Sequence, residues 1–182
     1  MVKLYLILIC LLSYKICFSL CNLVVSNTND AGAGSFRQAI IDANACATIP
    51  TITFTISSSS IIVLISDLPA ITKANLTING TTATGFSYPN SMVTINWQNR
   101  NNCLLYNATS SSNVLKGLTF LDNYLGNGDA AIRVTGGNGL LINQCRALIL
   151  SLFSYNFLVS IQTNCICVIP RSPKLSSPTT FS

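Results

Sequence analysis

The 182-residue chain has no histidine and no glutamate, and only 8% of its residues are charged. Without histidine there is no Ser-His-Asp or Cys-His nucleophile, no imidazole acid or base and no His-ligated metal. Without glutamate, every side-chain carboxylate must come from Asp30, Asp42, Asp67, Asp122 or Asp129. Basic residues are sparse as well. Lys73, Arg100, Lys116 and Arg133 are scattered, not gathered into the stripe that a nucleic-acid partner requires. What the chain has in quantity is apolar side chain, 49% of the total. That content with so little charge argues against disorder, and the length fits one domain.

Part of the apolar content belongs to an export signal, predicted over residues 1–19. Lys3 supplies a positive start, Leu4–Leu12 is an uncharged apolar run, and Cys17 and Ser19 are small residues before a cut after Ser19. Lys15 interrupts the run too early for a membrane span, which needs about 20 apolar residues. A lipoprotein cut before Cys21 fits less well, because Leu20 is too large for that pattern. Loss of Lys3 and Lys15 lowers the net charge from +5 to +3. The expected location is secreted or at the cell surface.

Six cysteines remain after such a cut: Cys21, Cys46, Cys103, Cys145, Cys165 and Cys167. In an exported protein they are disulfide candidates, the first four foremost, with the pairing open. Cys165-Ile-Cys167 has no second thiol pair or histidine at zinc-finger spacing, so neither a metal nor a cofactor is expected. Asn75, Asn79 and Asn107 each begin an Asn-X-Thr sequence and are candidate N-glycosylation sites.

After the short β-type run Leu23–Val25 comes a turn-rich stretch, then Ser35-Phe36-Arg37-Gln38. Ser35 and Gln38 are spaced as a capping box, in which each side chain takes the other residue's main-chain N–H. Phe36, Ala39, Ile40 and Ala43 follow on one helical face. A helix of about ten residues is expected, closed by Asn44 in a left-handed conformation. So short a helix must be held by packing.

Beyond Pro50 the pattern turns to strands. Thr51–Ile56 alternates strictly, with Ile52, Phe54 and Ile56 on one face, and Ile61–Ile65 is continuously apolar. Leu76-Thr-Ile-Asn79 is echoed by Val93-Thr-Ile-Asn96, and Gly117-Leu-Thr-Phe120 by Gly139-Leu-Leu-Ile142, with Asn143 following. Leu76, Val93, Leu118 and Leu140 are 17, 25 and 22 positions apart. Short strands at Leu104–Tyr106 and Ala131–Val134 and Gly/Asn/Ser turns fall between. A repeat of about 20 residues built this way is a solenoid pattern. In that register Asn79, Asn96 and Asn143 form either an internal asparagine ladder or, less simply, a saccharide-binding row.

The stretch Val24–Asn44, read as VVSNTNDAGAGSFRQAIIDAN, resembles the N-terminal signature of exported right-handed parallel β-helix proteins of the pectin-lyase-like fold, many of them adhesin-like. The elements that follow that signature occur here in order, as Ile52-Thr-Phe54, Ile62–Leu64, Leu68-Pro-Ala-Ile71 and Leu76-Thr-Ile-Asn-Gly80. The resemblance spans about Leu23 to Cys145. It implies an all-β, right-handed parallel β-helix, with the short helix capping its N-terminal end, over residues 20–146.

After Arg146 the repeat is lost. Residues 147–182 form an interrupted apolar run and a Pro/Ser-rich tail. The β-helix is therefore expected to be incomplete at its C-terminal end, as in a truncated gene product, with an uncapped end open to self-association; the alternative is that residues 147–161 add a final strand pair or cap. The function expected is structural or adhesive, toward glycans or cell surfaces, rather than enzymatic. The alternative is a polysaccharide lyase or hydrolase, because the resembled fold hosts many. It would depend on Arg133 with Asp122 and Asp129, which make a poor calcium cage, and on paired carboxylates drawn from Asp67, Asp122 and Asp129.

Overall fold

The computed structural model describes Cys21, residues 23–98, 102–107, 112–121, 130–135 and 139–147, and three later strands. Among these residues the chain forms β1 (Val24–Val25), helix α1 (Phe36–Ala45), β2 (Thr51–Phe54), β3 (Ile61–Val63) and β4 (Thr77–Asn79). Next come β5 (Val93–Asn96), β6 (Asn102–Tyr106), β7 (Val114–Lys116), β8 (Leu118–Leu121) and β9 (Ala130–Val134). The last are β10 (Leu140–Asn143), β11 (Arg146–Ala147), β12 (Leu150–Leu152), β13 (Val159–Ile161) and β14 (Ile166–Cys167). The expected export signal lies outside the described residues, as do Asp122 and Asp129.

The strands assemble into three sheets in the orders β1-β2-β4-β7-β10-β13, β3-β5-β8-β11-β14 and β6-β9-β12. The ladders within each sheet are parallel. From β4 onward, successive strands enter the first, second and third sheet in turn. Ile71 gives the third sheet an earlier member through a parallel bridge to Tyr106. Parallel neighbours require a long crossover, and here the strands of the other two sheets supply it.

Alternation along each strand turns one set of side chains inward. Ile52, Ile78, Leu115 and Ile142 are in register across the first sheet and fully buried. Ile62, Ile95 and Phe120 form the matching column of the second sheet, and Leu104 with Ile132 that of the third. All belong to one continuous apolar core. The sheets meet at tight corners. Gly117 alone separates β7 from β8 and has φ +74. A Cβ there would lie 2.6 Å from the Thr81 main-chain nitrogen, and a Cβ on Gly80 would lie 2.2 Å from the Gly117 oxygen. Two backbones pass too closely at this corner for any side chain between them.

The in-register column corrects the expected repeat. Ile52 to Ile78 is 26 positions, Ile78 to Leu115 is 37 and Leu115 to Ile142 is 27, all longer than about 20; of the expected spacings, the 25 positions from Val93 to Leu118 do join an in-register pair. The sequence echo paired β4 with β5 and β8 with β10, strands of different sheets. β7, which the sequence pattern did not single out, is the strand that stands between β4 and β10. Nor does the pairing stop at Arg146. β12, β13 and β14 continue the third, first and second sheets in parallel register.

Helix α1 covers the beginning of the core. Phe36, Ala39, Ile40 and Ala43 are buried on its inner face, and the Phe36 ring lies 5.6 Å from that of Phe54. Ser35 Oγ accepts the Gln38 main-chain N–H at 3.1 Å, as the cap spacing predicts. The reciprocal bond does not form. The tight turn at Gly32 already takes the Ser35 N–H at 3.1 Å, and the Gln38 amide donates to Asp42 Oδ1 instead. Asn44 does not close the helix either: it remains helical, and Cys46 ends the helix with extended backbone.

Candidate functional site

Two polar constellations stand out, one at the N-terminal end and one on the outer side of the first sheet. In the first, Arg37 on α1 pairs with Asp30 at 2.7 Å, both side chains nearly buried. Its guanidinium also donates to the Asp30, Ser66 and Asp67 carbonyl oxygens. Asp30 Oδ1 accepts the Ile65 N–H at 2.9 Å. Two turns further along the helix, Asn44 donates to the Ala70 oxygen and accepts from the Thr72 and Lys73 main-chain N–H groups. Lys73 Nζ donates to the Cys46 carbonyl. These bonds fasten the helix to the segment joining β3 to Ile71. They give side-chain partners to main-chain groups of a segment whose residues 65–67 and 72 are exposed.

The cysteines divide by position. Cys21 and Cys46 form a disulfide that ties the chain before β1 to the end of α1. Cys103 and Cys145 are buried thiols, not disulfides. Cys145 Sγ donates to the Asn143 carbonyl at 3.3 Å. Both thiols lie close enough to Tyr106 to add to the effect of burial, which pushes its hydroxyl far above its ordinary value.

The second constellation is a column facing outward. Thr53, Asn79, Lys116 and Asn143 stand side by side in register on β2, β4, β7 and β10. All four are half-buried, and adjacent strands are about 4.8 Å apart. The column presents hydroxyl, amide and one ammonium group at regular spacing, a set suited to hydrogen-bonding a hydroxyl-rich ligand.

The three asparagines expected as a ladder are not brought together. Asn79 and Asn143 flank Lys116, while Asn96 lies in the second sheet, in register with Val63 and Leu121. The amides of Asn79 and Asn96 serve local turns. Asn79 Oδ1 accepts from the Thr81 N–H and hydroxyl, and Asn96 Oδ1 from the Gln98 N–H. The asparagine that does bond across strands is Asn113, which is buried and whose Oδ1 accepts the Leu76 N–H at 2.7 Å. It precedes a strand instead of following one, so the search for Asn after an apolar run passes over it.

Among the N-glycosylation candidates, Asn75 and Asn107 are exposed and Asn79 is half-buried, its side-chain oxygen already engaged by Thr81. Arg133 is half-buried on β9, in register with Leu105 and Ser151. Of the described carboxylates, Asp30 is ion-paired, Asp42 accepts from Gln38 and Asp67 is exposed. No cluster of three His, Cys, Asp or Glu side chains occurs among the described residues. No helix among them is long and apolar enough to cross a membrane. In comparisons with known proteins, no family model and no curated protein matches this chain.

Proposed function

We propose that the chain is a secreted or cell-surface right-handed parallel β-helix with a structural or adhesive role toward glycans or cell surfaces. The observation that carries this reading is the strand order, in which successive strands rotate through three parallel sheets around one core. Crossovers between parallel strands are right-handed almost without exception, which gives the hand. Each circuit adds one layer, and α1 covers the first layer in the way that solenoids need an end cap.

Export is supported by the Leu4–Leu12 run and by the Cys21–Cys46 disulfide. Both cysteines survive a cut after Ser19, and a disulfide belongs in an oxidising compartment. Adhesion is supported by the outward Thr/Asn/Lys column. The test is expression with the native leader in a secreting host, followed by binding to immobilised polysaccharides and whole cells. Accumulation in the medium or on the surface, with binding weakened by Asn79→Ala and Thr53→Ala, is the expected result. Retention in the cytoplasm would overturn the export reading, and absence of binding would overturn the adhesive one.

A further inference from the structure

β3 is the last strand of the second sheet, and its ladder with β5 uses only alternate residues. Thr94 N–H donates to the Ser60 oxygen and Leu64 N–H to the Asn96 oxygen. Residues 60, 62 and 64 therefore turn their main-chain groups toward β5. Strand geometry turns those of Ile61 and Val63 the other way. No strand borders them there among the described residues.

Elsewhere the cap answers the open main chain. β1 lies along β2, Asp30 takes the Ile65 N–H, and Asn44 takes the main chain around Thr72. Among the described residues the cap stops short of Ile61 and Val63. Edge strands are ordinarily protected by charge, proline or a bulge. Residues 57–65 contain no charge and no proline, and Ile61, Val63 and Ile65 are 51%, 39% and 71% exposed.

We propose that this edge pairs with the same edge of a second copy of the chain, antiparallel, about a two-fold axis at Ile62. Ile61 then sits opposite Val63 of the second copy, and the two exchange N–H···O bonds in both directions. Symmetry repeats the pair on the other side of the axis, so every open group on both short strands finds a partner. Ile61 and Val63 project from the same face and become cross-strand apolar pairs. Charge also selects a like partner. The edge carries none, and the nearby Asp30 carboxylate is held by Arg37, so two copies bring no like charges together. A charged peptide would meet no countercharge there. This proposal does not depend on the adhesive reading or on export.

The test is the mass of the purified full chain by sedimentation equilibrium over a wide concentration range, with Val63→Lys, Ile61→Lys and Ile49→Lys as variants. Ile49 is 75% exposed but lies off the strand. A monomer–dimer equilibrium is expected, weakened at least about tenfold by either edge lysine, which blocks strand pairing, and unchanged by Ile49→Lys. Circular dichroism confirms that each variant is folded. Should the lysine variants not fold, hydrogen exchange on the unaltered chain decides: the Ile61 and Val63 amides must slow as dimer forms. The proposal is overturned by a monomer at every concentration, or by an open-ended series of larger species. It is also overturned by a dimer indifferent to the edge lysines, by equal sensitivity to Ile49→Lys, or by edge amides that stay unprotected in the dimer.

Discussion

At the residue scale, the informative positions are those where one atom decides the outcome. Gly117 and Gly32 both have positive φ, but a Cβ on Gly32 meets nothing within 4 Å, whereas one on Gly117 meets the Thr81 backbone. Gly32→Ala should therefore cost only the left-handed backbone penalty, about 1–2 kcal/mol. Gly117→Ala should cost clearly more, because two layers of main chain must also separate. Urea unfolding of the two variants measures the difference, and equal costs would mean that the corner is not tight. Tyr106 offers a pH test. Its hydroxyl is buried without a hydrogen-bond partner among the described residues, and burial is the chief cause of its raised pKa, with Cys145 and Cys103 adding to it. A raised folded value means that the folded state holds the proton where the unfolded chain releases it. The contribution is thus fully present below the unfolded value near 10 and lost as pH rises beyond it. Tyr106→Phe should be neutral or stabilising at neutral pH and should lessen the alkaline loss of stability, read from melting temperatures across pH. Asn113 is the opposite case, a buried polar group whose oxygen is used. Asn113→Ala strands the Leu76 N–H and should cost about 1–3 kcal/mol.

At the element scale, α1 is a short helix that exists because its face is buried, and its attachments are separable. Phe36→Ala removes a fully buried ring packed on Phe54 and should cost about 3–5 kcal/mol in global unfolding. Arg37→Ala acts elsewhere. It removes a charge-assisted pair and the donors to residues 66 and 67, with an expected cost of about 2–3 kcal/mol. Exchange of the Ile65 amide should report it first, since the Asp30 carboxylate that accepts this amide loses its anchor. Global destabilisation with no local change at Ile65 would show that the clasp is not a separate unit. The helix was legible in the sequence because its signals are local: a serine three residues before an amide, and apolar positions at i, i+3 and i+4. β2 and β3 were legible for the same reason. What Gln38 and Asn44 do was not: at Gln38 two equally local competitors win, the turn at Gly32 that takes the Ser35 N–H and the Asp42 side chain one helical turn on, while Asn44 is claimed by the distant chain at 70–73. The layer register was hidden because the segments between strands vary in length. A search for even spacing then aligned β4 with β5, strands similar in sequence but in different sheets.

At the scale of the whole molecule, three sheets share one core and leave an outside that is polar but hardly charged. The absence of histidine and glutamate takes on a definite meaning there. The described outward positions are mostly threonine, asparagine and aliphatic residues, with Lys116 in the first sheet, Arg146 in the second and Arg133 in the third. A surface of this kind binds through hydrogen bonds and shape, not through a field. If the adhesive reading is right, retention on an immobilised neutral polysaccharide should change little between low and high salt, because screening weakens only charge–charge attraction between exposed groups. Lys116→Ala should then weaken binding less than Asn79→Ala does. The lyase alternative requires the opposite behaviour. An acidic polysaccharide would be held by Arg133 and by cations, so binding would fall with salt and unsaturated products would appear on incubation with polygalacturonate and Ca²⁺. Parallel measurements of salt dependence and product release therefore separate the two. Salt-insensitive retention without products supports a structural surface. Salt-sensitive binding with Ca²⁺-dependent product release would place the chemistry on the third sheet around Arg133, and the expectation of a non-catalytic protein would fail.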